Sequence, residues 1–127
     1  MLDLEISSEN FFDIELSTDK NNSYKLNFIS ANSLEIIANK INSLIHKSFS
    51  AKYTIEEIRE NKYFLQFDTL NEIFDEIKER ILNNKIIIKE NENILILNIP
   101  LPTSKNKEII FELKPINKNS NEAIKVN

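Results

Sequence analysis

The sequence predicts an α+β chain that is mostly β: a small antiparallel β-sandwich or barrel of seven to eight strands, with a two-helix insert before the last three strands. Three observations carry this. Apolar and polar residues alternate with period two through much of residues 1–53, the pattern of half-buried strands. The period changes to that of a helix over residues 54–84. Aliphatic runs on either side of the polar stretch "ENEN" then restore strand character.

In chain order, "LDLEI" sets Leu2, Leu4 and Ile6 against Asp3 and Glu5, and "FFDIELS" repeats this with Phe12, Ile14 and Leu16. The polar cluster Thr18 to Ser23 is a turn. Tyr24, Leu26 and Phe28 mark the next strand, and Leu34, Ile36 and Ala38 the one that pairs with it as a hairpin. "SLIHKSFSAKY" is a further strand. Thr54 with Glu57 forms a capping box, and "IEEIRENKYFLQF" reads as one short helix. A second box at Thr69 and Glu72 opens the stronger helix, with Leu70, Ile73, Phe74, Ile77 and Ile81 on one face. Asn83 and Asn84 stop it. In the hairpin that follows, Ile86, Ile87, Ile88 and the run Ile94 to Leu97 occupy both parities, which predicts strands covered on both faces. Pro100 and Pro102 end that hairpin. Ile109, Phe111 and Leu113 face inward on the last strand. This gives one domain over residues 1–114, with the helical insert at 54–84 and a polar tail at 115–127.

At 127 residues, 41% hydrophobic and 28% charged, the chain has the size and composition of a single soluble globular domain. No apolar run approaches the length that spans a bilayer, and the N-terminus is acidic where a signal peptide is basic. The expected location is therefore cytoplasmic or nuclear. With no Cys there are no disulfides, thiol nucleophiles or zinc–thiolate sites. Ile and Asn number 22 and 19, which reads as codon bias of an AT-rich genome. Gly is absent, so phosphate-cradling loops, dinucleotide fingerprints and nucleophile elbows cannot take their usual form. Turns that need positive φ are expected to use Asn. Net charge runs −6, +4, −4 and +2 over residues 1–19, 20–53, 54–82 and 83–127, summing to −4, with no dense basic patch for a phosphate backbone.

No catalytic constellation is visible. His46 is the only histidine, and a metal site or acid–base relay needs more than one well-placed group. Glu72, Asp75, Glu76 and Glu79 lie opposite Ile73 and Ile77 and read as a solvated helix face. No enzyme, metal or other cofactor is expected. Tyr63, Phe64 and Phe67 are denser than one short helix needs; they read as core at the helix–helix turn or as a partner-binding patch. Lys47, Lys52, Lys105 and Lys107 are candidates for blunting a sheet edge.

Tyr53-Thr54-Ile55-Glu56, Lys62-Tyr63-Phe64, Phe67-Asp68 and Phe111-Glu112-Leu113-Lys114 carry a resemblance over residues 24–114 to a β-rich domain recurring in coiled-coil and repeat proteins of AT-rich, ciliate-type protists. The strand–helix–helix–strand order also resembles the head domains of the centriolar cartwheel and DNA end-joining scaffold superfamily, β-sandwiches with a helix–turn–helix insert that oligomerise. This chain departs from them after Pro115, where no heptad follows. The combined expectation is a non-catalytic protein–protein interaction or assembly (scaffold) module that binds a protein partner or itself. The alternative is a small ligand- or nucleic-acid-binding β-barrel, which a polar pocket would favour. Membrane and small-molecule partners are not expected, and nucleic acid is disfavoured by the acidic surroundings of the aromatics.

Overall fold

The computed structural model of the chain describes residues 10–44, 46–103, 105 and 107–116. The expected strand Leu2 to Ile6 and most of the polar tail lie outside these residues. The described residues form seven strands: β1 (Asn10–Ser17), β2 (Ser23–Ser30), β3 (Leu34–Lys40), β4 (Ser48–Tyr53), β5 (Ile88–Glu90), β6 (Leu95–Pro100) and β7 (Glu108–Pro115). Between β4 and β5 lie α1 (Ile55–Ile58), a 3-10 turn (Lys62–Gln66) and α2 (Leu70–Leu82). The strands form one antiparallel sheet in the order β1-β2-β3-β4-β7-β6-β5, curled into a half-barrel. The fold class is thus the mostly β one expected, built as one curled sheet.

Alternation sets the curl. Leu26, Phe28, Leu34, Ile36 and Ala38 from the first strands, and Leu95, Leu97, Ile99, Ile109, Phe111 and Leu113 from the last, all point into the concavity and are buried. α2 lies across β2 and β6 and fills the concavity with Ile73, Phe74, Ile77 and Ile81. Its Phe74 ring meets Phe12 edge-on at 5.5 Å, and Phe12 stacks on Phe28 at 4.7 Å. Both capping boxes form: Thr54 with Glu57, and Thr69 with Glu72.

Two expectations need correction. The apolar runs of the last hairpin are covered on one face only: Ile86 and Ile88 are buried while Ile87 is 48% exposed, and β6 alternates between buried and half-buried residues. A single curled sheet has one helix-filled side, so the other parity faces solvent. The first helix is also not continuous. Asn61 takes an extended conformation, and its side chain accepts from Tyr63 N, which ends α1 and starts the 3-10 turn. The Asn expectation holds: Asn21 (φ 68°) and Asn42 (φ 56°) occupy the left-handed region at the β1–β2 and β3–β4 connections.

Phe74 is enclosed by the sheet and by Phe12, so Phe74→Ala should destabilise the fold by about 3–5 kcal/mol in urea titration. A midpoint within experimental error of wild type would show that α2 does not fill the concavity.

Candidate functional site

Three places on this frame carry more polar or aromatic character than the core requires. The first is the junction of the 3-10 turn with α2, where the sequence placed Tyr63, Phe64 and Phe67. Their rings form a mutually contacting trio with centroids 5.2–5.9 Å apart. Phe64 is fully buried and belongs to the core, while Tyr63 and Phe67 are half-buried at its rim. The Tyr63 hydroxyl donates to Glu76 Oε2 at 2.5 Å, and that oxygen also lies 3.1 Å from Arg80 Nε. Glu76 is therefore not part of a freely solvated face; it ties the aromatic junction to α2. Burial and this hydrogen bond push the Tyr63 phenol up to about 12. The other acids of that face, Glu72, Asp75 and Glu79, are exposed as expected.

The second place is the seam where the curled sheet comes back on itself. Thr18, just after β1, makes a parallel bridge with Ile88 of β5. A cleft of about 470 Å³ lies there between the β1–β2 and β5–β6 turns. Lys47 Nζ donates to Glu90 Oε2 at 2.6 Å across it. Behind the pair, the buried Tyr24 hydroxyl and Glu90 Oε1 make no well-formed hydrogen bond among the described residues, yet each acts on the other. Burial, then Glu90, raises the Tyr24 phenol. Burial would also raise Glu90, but the hydrogen bond from Lys47, the nearby Tyr24 hydroxyl and the charges of Lys47 and Lys40 outweigh it, so the carboxyl sits below its usual range. The sequence reading missed this cluster, whose members are far apart in the chain. The available clue was Tyr24, an apolar-parity residue whose hydroxyl has to find a polar neighbour once buried. Lys47, just before β4, is engaged with Glu90, and Lys52 lies on β4, which sits between β3 and β7 and not at an outer edge of the sheet. Lone His46 is exposed in the loop before β4.

The third place is a split between β4 and β7. Their ladder comprises only Phe49↔Pro115 and Ser50↔Lys114. Beyond it the strands part, and side chains take over the hydrogen bonds. The Tyr53 hydroxyl donates to Glu112 O and accepts from Glu112 N, both at 3.0 Å, while its ring rests on Phe111 at 5.0 Å. Asn61 Nδ2 donates to Glu108 O at 3.0 Å. Burial, chiefly, raises the Tyr53 phenol.

Among the described residues no group of three or more His, Cys, Asp or Glu could hold a metal ion, and no helix is long and apolar enough to cross a membrane. The chain matches no family model, no curated protein and no solved structure.

Two measurements check this chemistry. Because the Glu90 carboxyl is held low in the fold, its pair stabilises the protein above the unfolded carboxylate range, and that contribution is lost as pH falls through the lower folded value. Glu90→Gln should cost about 1–3 kcal/mol near neutrality, and the gap to wild type should narrow on acidification. A gap independent of pH would refute the pairing. All three tyrosines are raised, so stability should fall as pH climbs above the ordinary phenol value of about 10. In an ultraviolet titration, phenolate absorbance should lag behind that of the urea-unfolded chain. Superimposable curves would contradict the desolvated environments of the three tyrosines.

Proposed function

We propose that this chain is a non-catalytic protein–protein interaction or assembly module acting in the cytoplasm or nucleus. The observation that carries the reading is the edge of β1. β1 is eight residues long, pairs with β2 along its whole length, and has no strand on its other side among the described residues. It contains no Lys and no Pro, its only charges are Asp13 and Glu15, and Phe11 on it is 71% exposed. The opposite edge, β5, is three residues long and carries Lys89. β5 also closes on the end of β1 through the Thr18–Ile88 bridge, so the stretch available for β-augmentation is the β1 edge before Thr18. The half-buried Tyr63 and Phe67 offer a second apolar patch for the same role. The resemblance to protist repeat-protein domains and to scaffold heads points the same way and is part of this proposal.

The ligand-binding alternative draws on the polar cleft at the seam. That cleft has few apolar walls, and its central charges, Lys47 and Glu90, neutralise each other. Small-molecule sites are mostly apolar with a few free polar groups. The interaction reading is therefore preferred.

Sedimentation of the purified chain over a wide concentration range, alone and in cell extract, combined with crosslinking, tests the proposal. The expected outcome is a larger species whose crosslinks fall on β1 or around Tyr63 and Phe67. Phe11→Asp or Tyr63→Ala should then weaken it by about tenfold, or ~1.4 kcal/mol. A chain that stays monomeric at every concentration and gains no mass in extract would overturn it.

A further inference from the structure

We infer that the β4–β7 split is a recognition slot for a short extended segment of a partner polypeptide that carries Lys or Arg beside the residue it inserts. The inference rests on the reading of the chain as an interaction module but not on the β1 edge.

In an antiparallel strand, alternate residues direct both their N–H and their C=O to the same side. On β7, Glu108 O meets Asn61, and both Glu112 backbone groups meet Tyr53. Lys114 pairs with Ser50, and Ile116 N donates to Ser48 O at 2.9 Å. The even-numbered residues therefore face β4, and Ile110 lies among them. Side chains serve both backbone groups of Glu112 and the C=O of Glu108, whereas no residue of β4 reaches Ile110. Its N–H and C=O open between Tyr53 and Asn61 into a groove of about 550 Å³. The Ile110 side chain, 48% exposed, adds an apolar lip.

One extended residue of a partner offers the acceptor and the donor that match this unpaired backbone pair. Charge selects its neighbours. Glu57, Glu60 and Glu108 line the groove, and no Lys or Arg does. Glu57 already accepts from Thr54 N at 2.8 Å, which leaves Glu60 and Glu108 as the freer carboxylates. A second copy of β1 would bring Asp13 and Glu15 to this acidic rim, so a basic segment of a different chain is the better fit.

The probe is a short capped peptide alternating Lys and Val, titrated into the full-length protein and followed by amide NMR. Saturable shifts at Ile110 and its neighbours are expected. The same peptide N-methylated at its central amide should bind about tenfold more weakly, and Glu60→Gln with Glu108→Gln should weaken the parent peptide by a similar factor. The matching Glu–Val peptide should not bind. Three results would overturn the slot: no shift at Ile110, equal binding of the N-methylated peptide, or equal binding of the acidic one. Shifts confined to β1 would also overturn it, yet would leave the module reading standing. That reading fails only if the sedimentation and crosslinking experiment finds no association at all.

Discussion

The structure depends on one steric requirement: a single curled sheet has one apolar face, and a single helix must fill it. Ile73, Phe74, Ile77 and Ile81 of α2 meet that requirement. Burial of side chains this large contributes roughly 1.5–3 kcal/mol apiece before conformational entropy opposes it. The direction of α2 is fixed at its start by the Thr69–Glu72 box and near its middle by Tyr63, whose hydroxyl reaches Glu76. With the helix seated, the sheet can curl until Thr18 touches Ile88, and the seam charges meet there. The polar features therefore follow from the packing of one apolar stripe.

A second theme follows from a chain without glycine. Where a backbone group lacks a ladder partner, a side chain often stands in. The Thr18 hydroxyl oxygen accepts from the N–H groups of Lys20 and Asn22 and shapes the β1–β2 turn. Asn21 and Asn42 take the left-handed conformations. Asn84 Nδ2 reaches back to the Arg80 carbonyl at the end of α2. Tyr53 and Asn61 do the same across the split. These contacts satisfy backbone groups outside the ladders at the cost of fixing polar side chains.

Much of this was legible in the sequence because it is local. The alternation of Tyr24, Leu26 and Phe28, the helical stripe of α2, and both Thr–Glu boxes depend on residues within one or two turns of each other. The break at Asn61 was readable in principle, since Asn before "KYFLQ" is a cap residue, but the apolar density of Tyr63 to Phe67 favoured one helix. The double parity of Ile86 to Ile88 misled for a different reason. A run of Ile is compatible with either face, and only the presence of one covering helix decides between them. For the candidate sites the balance reverses. Phe64 proved to be core, Tyr63 and Phe67 rim, and neither the Lys47–Glu90 pair nor the split leaves a local pattern, because the partners lie on different hairpins.

The split also differs in kind from an ordinary frayed edge. A frayed strand pairs poorly because ordering it costs conformational entropy with each new bond. Here both flanks are fixed to the core. Tyr53 rests on the buried Phe111, and Asn61 holds Glu108 with its amide N–H while its carbonyl oxygen caps Tyr63 in the aromatic junction. The Ile110 backbone pair is thus held open by groups that have already lost their freedom. A segment that enters pays mainly for its own ordering, which is the physical advantage of a preorganised site over a mobile one. Closing the groove would require Tyr53 to leave Phe111 and Asn61 to abandon its cap, exchanging two satisfied positions for one short stretch of ladder.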